Sequence, residues 1–128
     1  MSNVTTVGNS AFQGNTINQD VDLSAATSLG TAIFKNATVN GDITLGDRTA
    51  IPANLFEGAT VNGTIDMSKI TSIASNAFKN AKLSQDMAFG SAISIAENAF
   101  VGATVPSVKF SGGSIAAQAF ANSNIGVL

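Results

Sequence analysis

The chain has 128 residues, a net charge of −2, 45% hydrophobic and only 11% charged residues, and it contains no Cys, His, Trp or Tyr. Without Cys there are no disulfides or thiolate sites, and without His the commonest general base and metal ligand is missing. The six cations, Lys35, Arg48, Lys69, Lys79, Lys82 and Lys109, stand singly, which leaves no basic footprint for nucleic acid, and no run approaches the ~20 apolar residues of a membrane-spanning helix.

From the N-terminus, MSNVTTVGNSAF carries neither a basic n-region nor an apolar h-region, so it does not read as a signal peptide. Then a rhythm begins. Phe12, Phe34, Phe56, Phe78, Phe100 and Phe120 follow one another at intervals of 22, 22, 22, 22 and 20 residues. A fixed period of this size marks a stack of short supersecondary units. Aligned on Phe, the units begin at Thr5, Thr27, Thr49, Thr71 and Ile93, with a shortened sixth from Gly113. The whole of 1–128 is therefore expected to be a single repeat domain, uncapped at both ends.

Within a unit the apolar columns come in order. The third position holds Val7, Leu29, Ile51, Ile73, Ile95 and Ile115, and the residue before Phe is Ala11, Ile33, Leu55, Ala77, Ala99 or Ala119. Five residues after Phe stand Ile17, Val39, Val61, Leu83, Val105 and Ile125, and then an alternating pair such as Val21/Leu23 or Ile43/Leu45. That pair has the period of a short strand with one buried face. Stacked coils would place such strands about 4.8 Å apart in a parallel wall. The six Phe are predicted to form a buried spine opposite it. Around Phe the chain reads as turns, 3₁₀ or a second short strand. Two residues after Phe the column alternates Gly14, Asn36, Gly58, Asn80, Gly102 and Asn122, which predicts a left-handed residue in every coil.

The segments ITSIASNAFKNAKL (Ile70–Leu83), ISIAENAFVGATV (Ile93–Val105) and TSLGTAIFKNATV (Thr27–Val39) resemble the BspA-type leucine-rich repeats. The resemblance runs from Thr5 to Ile125. It implies a leucine-rich-repeat-like, right-handed solenoid of about six 20–22-residue coils, in a family found mostly in surface or secreted proteins engaged in attachment and protein binding. Two departures stand out: Ala37, Ala59, Ala81 and Ala103 replace the usual small or Cys residue, and the strand spacing is one residue longer in the first four units.

Chemistry is hard to assemble from this inventory. Ser and Thr have no His or Cys to activate them. Asp20, Asp42, Thr64 and Asp86 form a column before the strand; its first two members are conceivable ligands for a hard cation, but Thr64 interrupts it and solvated strand-entry residues are the simpler interpretation. No catalytic residue, cofactor or metal site is assigned, and the chain is read as a non-enzyme. The columns Asn18/Asn40/Asn62 and Asn54/Asn76/Asn98/Gln118 suggest amide ladders along the stack. Asn3, Asn36 and Asn62 begin glycosylation triplets that matter only in a eukaryotic secreted protein.

The two ends carry the functional expectation. Leu128 falls on the first strand position of a coil whose second position is missing, and Met1 precedes Val7 by the six residues that separate Leu45 from Ile51. Met1, Val4, Ile125, Val127 and Leu128 are thus expected to form a head-to-tail self-association interface, which builds a filament because a heterologous contact of this kind does not close. The partner implied is a second copy of the chain, at the cell surface or outside the cell, with host or matrix proteins as further candidates. The alternative is a monomeric adhesin module that binds protein or glycan through its strand wall, where Asp22, Thr44, Asp66, Ala88 and Lys109 would be exposed.

Overall fold

The computed structural model describes residues 4–90 and 92–127, with the backbone alone at 127. The described residues contain short parallel strands and turns and no helix. They form a parallel β-solenoid of about five turns at the 22-residue spacing. Each coil contributes to three strand walls, where the sequence predicts one wall and, around Phe, turns, 3₁₀ or a second short strand. The first wall runs through Thr6–Val7, Ser28–Leu29, Ala50–Ile51, Ser72–Ile73, Ile93–Ile95 and Gly113–Ile115. The second runs through Thr16–Ile17, Thr38–Val39, Thr60–Val61, Lys82–Leu83, the start of Thr104–Lys109, and Asn124–Val127. The third is the expected one: Val21–Asp22, Ile43–Thr44, a bridge at Ile65, Met87–Ala88 and the end of Thr104–Lys109.

Alternation explains the walls. On the first, Ile93 and Ile95 point in and Ser94 points out; on the second, Val39 and Val61 are buried while Asn40 and Asn62 are exposed. The inward residues of all three walls join a single apolar cluster that runs the length of the stack. No charged or polar residue is buried in it among those described.

Between the first and second walls lies the Phe turn. In each interior coil Phe sits between two left-handed residues, as Phe34 does between Ala32 (φ 57°) and Asn36 (φ 58°). All six members of the Gly14–Asn122 column have positive φ, as expected from their side chains. The alternation of Gly and Asn has its own cause. A Cβ on Gly58 would lie 2.2 Å from Asn36 Oδ1, and one on Gly102 would lie 2.3 Å from Asn80 Oδ1. The Asn amide of one coil occupies the space that the Gly of the next leaves open.

The second left-handed column is Ser10, Ala32, Asn54, Asn76, Asn98 and Gln118. This corrects the expectation of an amide ladder there: Asn is chosen because it tolerates φ > 0, and Asn54 turns its amide to Glu57. The other column does form a ladder. Asn40 Nδ2 donates to Asn18 Oδ1 (2.7 Å), Asn62 Nδ2 to Asn40 Oδ1 (2.7 Å) and Ser84 Oγ to Asn62 Oδ1 (2.9 Å).

Two of the three walls are interrupted, each for a chemical reason. On the first wall, Gly30, Ala74 and Ala96 donate their N–H to the coil before them. Pro52 holds the same column and has no N–H to give, and Ser28–Leu29 does not pair with Ala50–Ile51. Beside this break, Arg48 fills the corner column of Ala26 and Ile70. Its Nε donates to Leu45 O (2.7 Å) and its Nη2 to Leu23 O (2.8 Å) and Ala26 O (2.6 Å). The guanidinium thereby replaces the backbone turn bond that Ala26 and Ile70 make to Leu23 and Met67.

The third wall opens between Ile65 and Met87. Here the corner column reads Gln19, Gly41, Gly63, Gln85. The coils touch so closely at this corner that a Cβ on Gly63 would lie 2.1 Å from Gly41 O. Gln85 brings a Cβ to that place. The ladder stops there, beside a cavity of about 10 Å³ lined by Gly63, Ile65, Leu83, Gln85, Asp86 and Met87, room for about one water. Gly63→Ala should open the same seam one coil earlier. Overpacking of this kind costs about 1–3 kcal/mol, and the Ile43 N–H, which donates to Thr64 O at 2.8 Å, should exchange with solvent faster. Unchanged Ile43 exchange would show that the corner is not in contact.

The last coil is shorter than the rest. Pairing is offset by 22 residues at Lys82↔Thr104, by 21 at Met87↔Val108 and by 20 at Ile93↔Gly113. One residue is lost at each of two successive corners. The first loss lets Thr104–Lys109 run as one continuous strand from the second wall into the third.

Candidate functional site

The expected Phe spine is present as a continuous stack. Successive ring centroids lie 5.7, 5.4, 5.1, 4.9 and 4.8 Å apart from Phe12 to Phe120, with interplanar angles between 3° and 14°. Phe34, Phe56, Phe78 and Phe100 are completely buried, whereas Phe12 and Phe120 are half-buried. Phe110 meets Phe120 edge-on at 6.0 Å and stacks on Phe89 at 5.7 Å, tying the end of the spine to the third wall.

The second-wall column shows the same contrast. Val39, Val61, Leu83 and Val105 are buried, while Ile17 and Ile125 at the two ends are half-buried. Ile115 is 51% exposed, although Ile51, Ile73 and Ile95 in its column are closed off. The Phe spine and the second-wall column are thus opened at both described end coils, and the first-wall column at the last coil, whereas Val7 is buried and Leu29, beside the break at Pro52, is half-buried. Of the residues expected at a self-association interface, Ile125 is half-buried and packed against the core on the last described coil. Val4 is half-buried against its own core, in the corner column of Ala26, Arg48 and Ile70. The backbone of Val127 pairs with Ser107. Met1 and Leu128 lie outside the described residues, as does the side chain of Val127.

Elsewhere the surface offers little for chemistry. Asp20 and Asp42 spend a carboxylate oxygen on the amide of the next coil, Asp42 N and Thr64 N donating to them at 2.8 Å each. No group of three or more potential ligands gathers among the described residues. Hydrogen bonds from the Ser24 side chain and backbone hold Asp22 below the usual carboxylate range, and the Ser68 backbone and side chain do the same for Asp66. Asp47 is lowered by its hydrogen bond and charge pairing with Lys69. A general acid needs the opposite shift. An open depression of about 270 Å³ is lined by Thr71, Ala92, Ile93, Ser94, Gly113 and Ser114, without a titratable side chain.

Two things escape the sequence-based reading. Arg48 looks like one more solitary surface cation, yet it fills a corner of the solenoid; its place in the Ala26/Ile70 column was the available signal. Pro52, in a column of Gly and Ala, marks the break in the first wall.

A parallel solenoid of 22-residue coils with a stacked aromatic spine is a structural repeat fold. The model of the BspA-type leucine-rich repeat region matches residues 1–106 in six copies, and the chain belongs to that family. The match stops short of the last coil, which the resemblance in sequence includes as far as Ile125. Proteins with these repeats are typically found at cell surfaces. No helix among the described residues is long and apolar enough to cross a membrane. No curated protein and no solved structure matches the chain.

Proposed function

We propose that this chain is a non-enzymatic structural protein of the cell surface or extracellular space that self-associates head to tail into a filament. The supporting observation is the equivalence of the two end coils. In the first, Val7, Phe12 and Ile17 stand five residues apart, and in the last, Ile115, Phe120 and Ile125 do the same. One coil can therefore follow the other as interior coils follow each other. Contact between them would cover Phe12, Ile17, Ile115, Phe120 and Ile125, which interior coils bury in their own columns. Removing such apolar area from water is worth about 25 cal/mol per Å². A heterologous contact of this kind propagates.

Sedimentation and electron microscopy of the 128-residue chain test this. Mass should rise with concentration and unbranched filaments one solenoid wide should form. A species that stays monomeric up to high concentration would overturn self-association and leave the protein-binding role of the family as the better account.

A further inference from the structure

We infer that the junction has a single register and a fixed polarity, with the last coil of one copy docking on the first coil of the next through backbone hydrogen bonds that each face already presents in complementary form. This rests on the self-association proposed above and adds which groups meet.

The repeat itself defines the pairs. On the first wall, Gly30 N donates to Val7 O, Ala74 N to Ile51 O, Ala96 N to Ile73 O and Ala116 N to Ile95 O. Continuing the column, Ile115 O is the next acceptor and Gly8 N of the following copy the next donor. On the second wall, Thr38 N donates to Asn15 O, Thr60 N to Ala37 O and Asn124 N to Ala103 O. The continuation is Thr16 N to Ser123 O. In the Phe turn the direction reverses: Phe12 N donates to Ile33 O, Phe56 N to Ala77 O and Phe100 N to Ala119 O. There the last coil supplies the donor, Phe120 N, and the first coil the acceptor, Ala11 O. None of these six groups has a hydrogen-bond partner among the described residues.

Each face thus offers both donors and acceptors, in an order that fits the other face. Two copies of the same face would wind in opposite senses across the contact and could not form these pairs together. The register that joins these pairs also places Phe120 over Phe12 and Ser114 beside Thr6, since Ser114 stands one residue before Ile115 as Thr6 stands one before Val7. Moving the register by one residue would turn every wall residue to the opposite side.

The experiment uses one variant per face. Gly8→Pro removes a donor from the first coil at a site where a Cβ meets nothing within 4 Å, and Pro52 already occupies this column. Ile115→Asp places a carboxylate on the exposed Ile115 of the last coil. Each variant alone should associate about a hundredfold more weakly than the parent chain, as an acceptor left without its donor (Ile115 O) or a desolvated charge implies. An equimolar mixture should form a 1:1 dimer and stop there, because one good face remains on each partner. If one variant alone still dimerises and mixing adds nothing, association is between like faces and the inference is overturned. If the parent chain is monomeric, self-association itself has failed.

Register is tested separately in the otherwise cysteine-free chain. Parallel neighbours lie about 4.8 Å apart, within the Cα separation of roughly 4.4–6.8 Å that a disulfide accepts. Oxidised T6C/S114C should give a ladder of linked oligomers, and T6C/A117C should not. Equal linking in both would overturn the single register, and this readout holds even if Ile115→Asp disturbs the last coil.

Discussion

Phe56→Ala should lower the unfolding free energy by about 3–5 kcal/mol, the usual cost of removing a fully buried phenyl ring. Phe56 has no exposed surface and stacks on Phe34 at 5.4 Å and on Phe78 at 5.1 Å. Its loss breaks two ring contacts and leaves a gap that the flanking coils cannot fill, since their backbones are held by Phe34 N→Leu55 O and Phe56 N→Ala77 O. Phe12→Ala is the matched comparison, because this ring is half-buried and has a single ring neighbour, at 5.7 Å. It should cost roughly half as much, in proportion to the apolar area it covers. Urea unfolding of both variants measures the difference. Equal losses would mean that the spine is not graded from its centre to its ends.

The second large effect is expected at Arg48. Arg48→Leu keeps an apolar stem in a column that holds Ala26 and Ile70 on either side, but it withdraws three donors from Leu45 O, Leu23 O and Ala26 O. Hydrogen bonds from a charged group contribute about 1.5–3 kcal/mol each, and a part-buried carbonyl left without a partner keeps its desolvation cost. These bonds share one guanidinium and are not independent, so the expected loss is about 2–3 kcal/mol in total. Arg48→Lys should recover only part of it, because an ammonium cannot reproduce the planar fork. Burial lowers the Arg48 pKa, yet it stays charged across the usable pH range, so the loss should not vary with pH near neutrality. A loss below about 0.5 kcal/mol, the level of an ordinary surface substitution, would show that the corner closes without Arg48.

The periodic parts of this fold are legible in the sequence. Phe12 to Phe120 mark the spine because a ring at a fixed period has one place to go in a stacked coil. Gly14 to Asn122 mark a left-handed turn because few side chains tolerate that backbone. Where a residue type serves two purposes, the sequence was ambiguous. Asn54, Asn76 and Asn98 could have been a ladder or a turn column, and the turn prevailed, whereas Asn18, Asn40 and Asn62 do form the ladder. Of the first and second walls the sequence suggests no more than a second short strand near Phe, because their strands are two residues long in most coils and expose Thr, Ser and Ala, too little for an alternating pattern to register. Arg48 and Gln85 went unread because each breaks its column once, and a single exception has meaning only after the neighbouring coil is known to touch it.

The shortened last coil has a consequence for how this architecture can change. From Val7–Phe12–Ile17 through to Ile115–Phe120–Ile125, the spacing of five residues on each side of Phe never varies, while the two corners flanking the third wall each lose a residue. The Phe turn is the ruler of the coil, and those corners hold its slack. Segments grafted at the corners near Gln85 or Gly90 would project from the stack without shifting the walls. A single residue inserted between Ile73 and Phe78 would instead throw the coils on either side out of step. Variation in such proteins can accumulate along two edges of the solenoid while the inner lattice stays fixed.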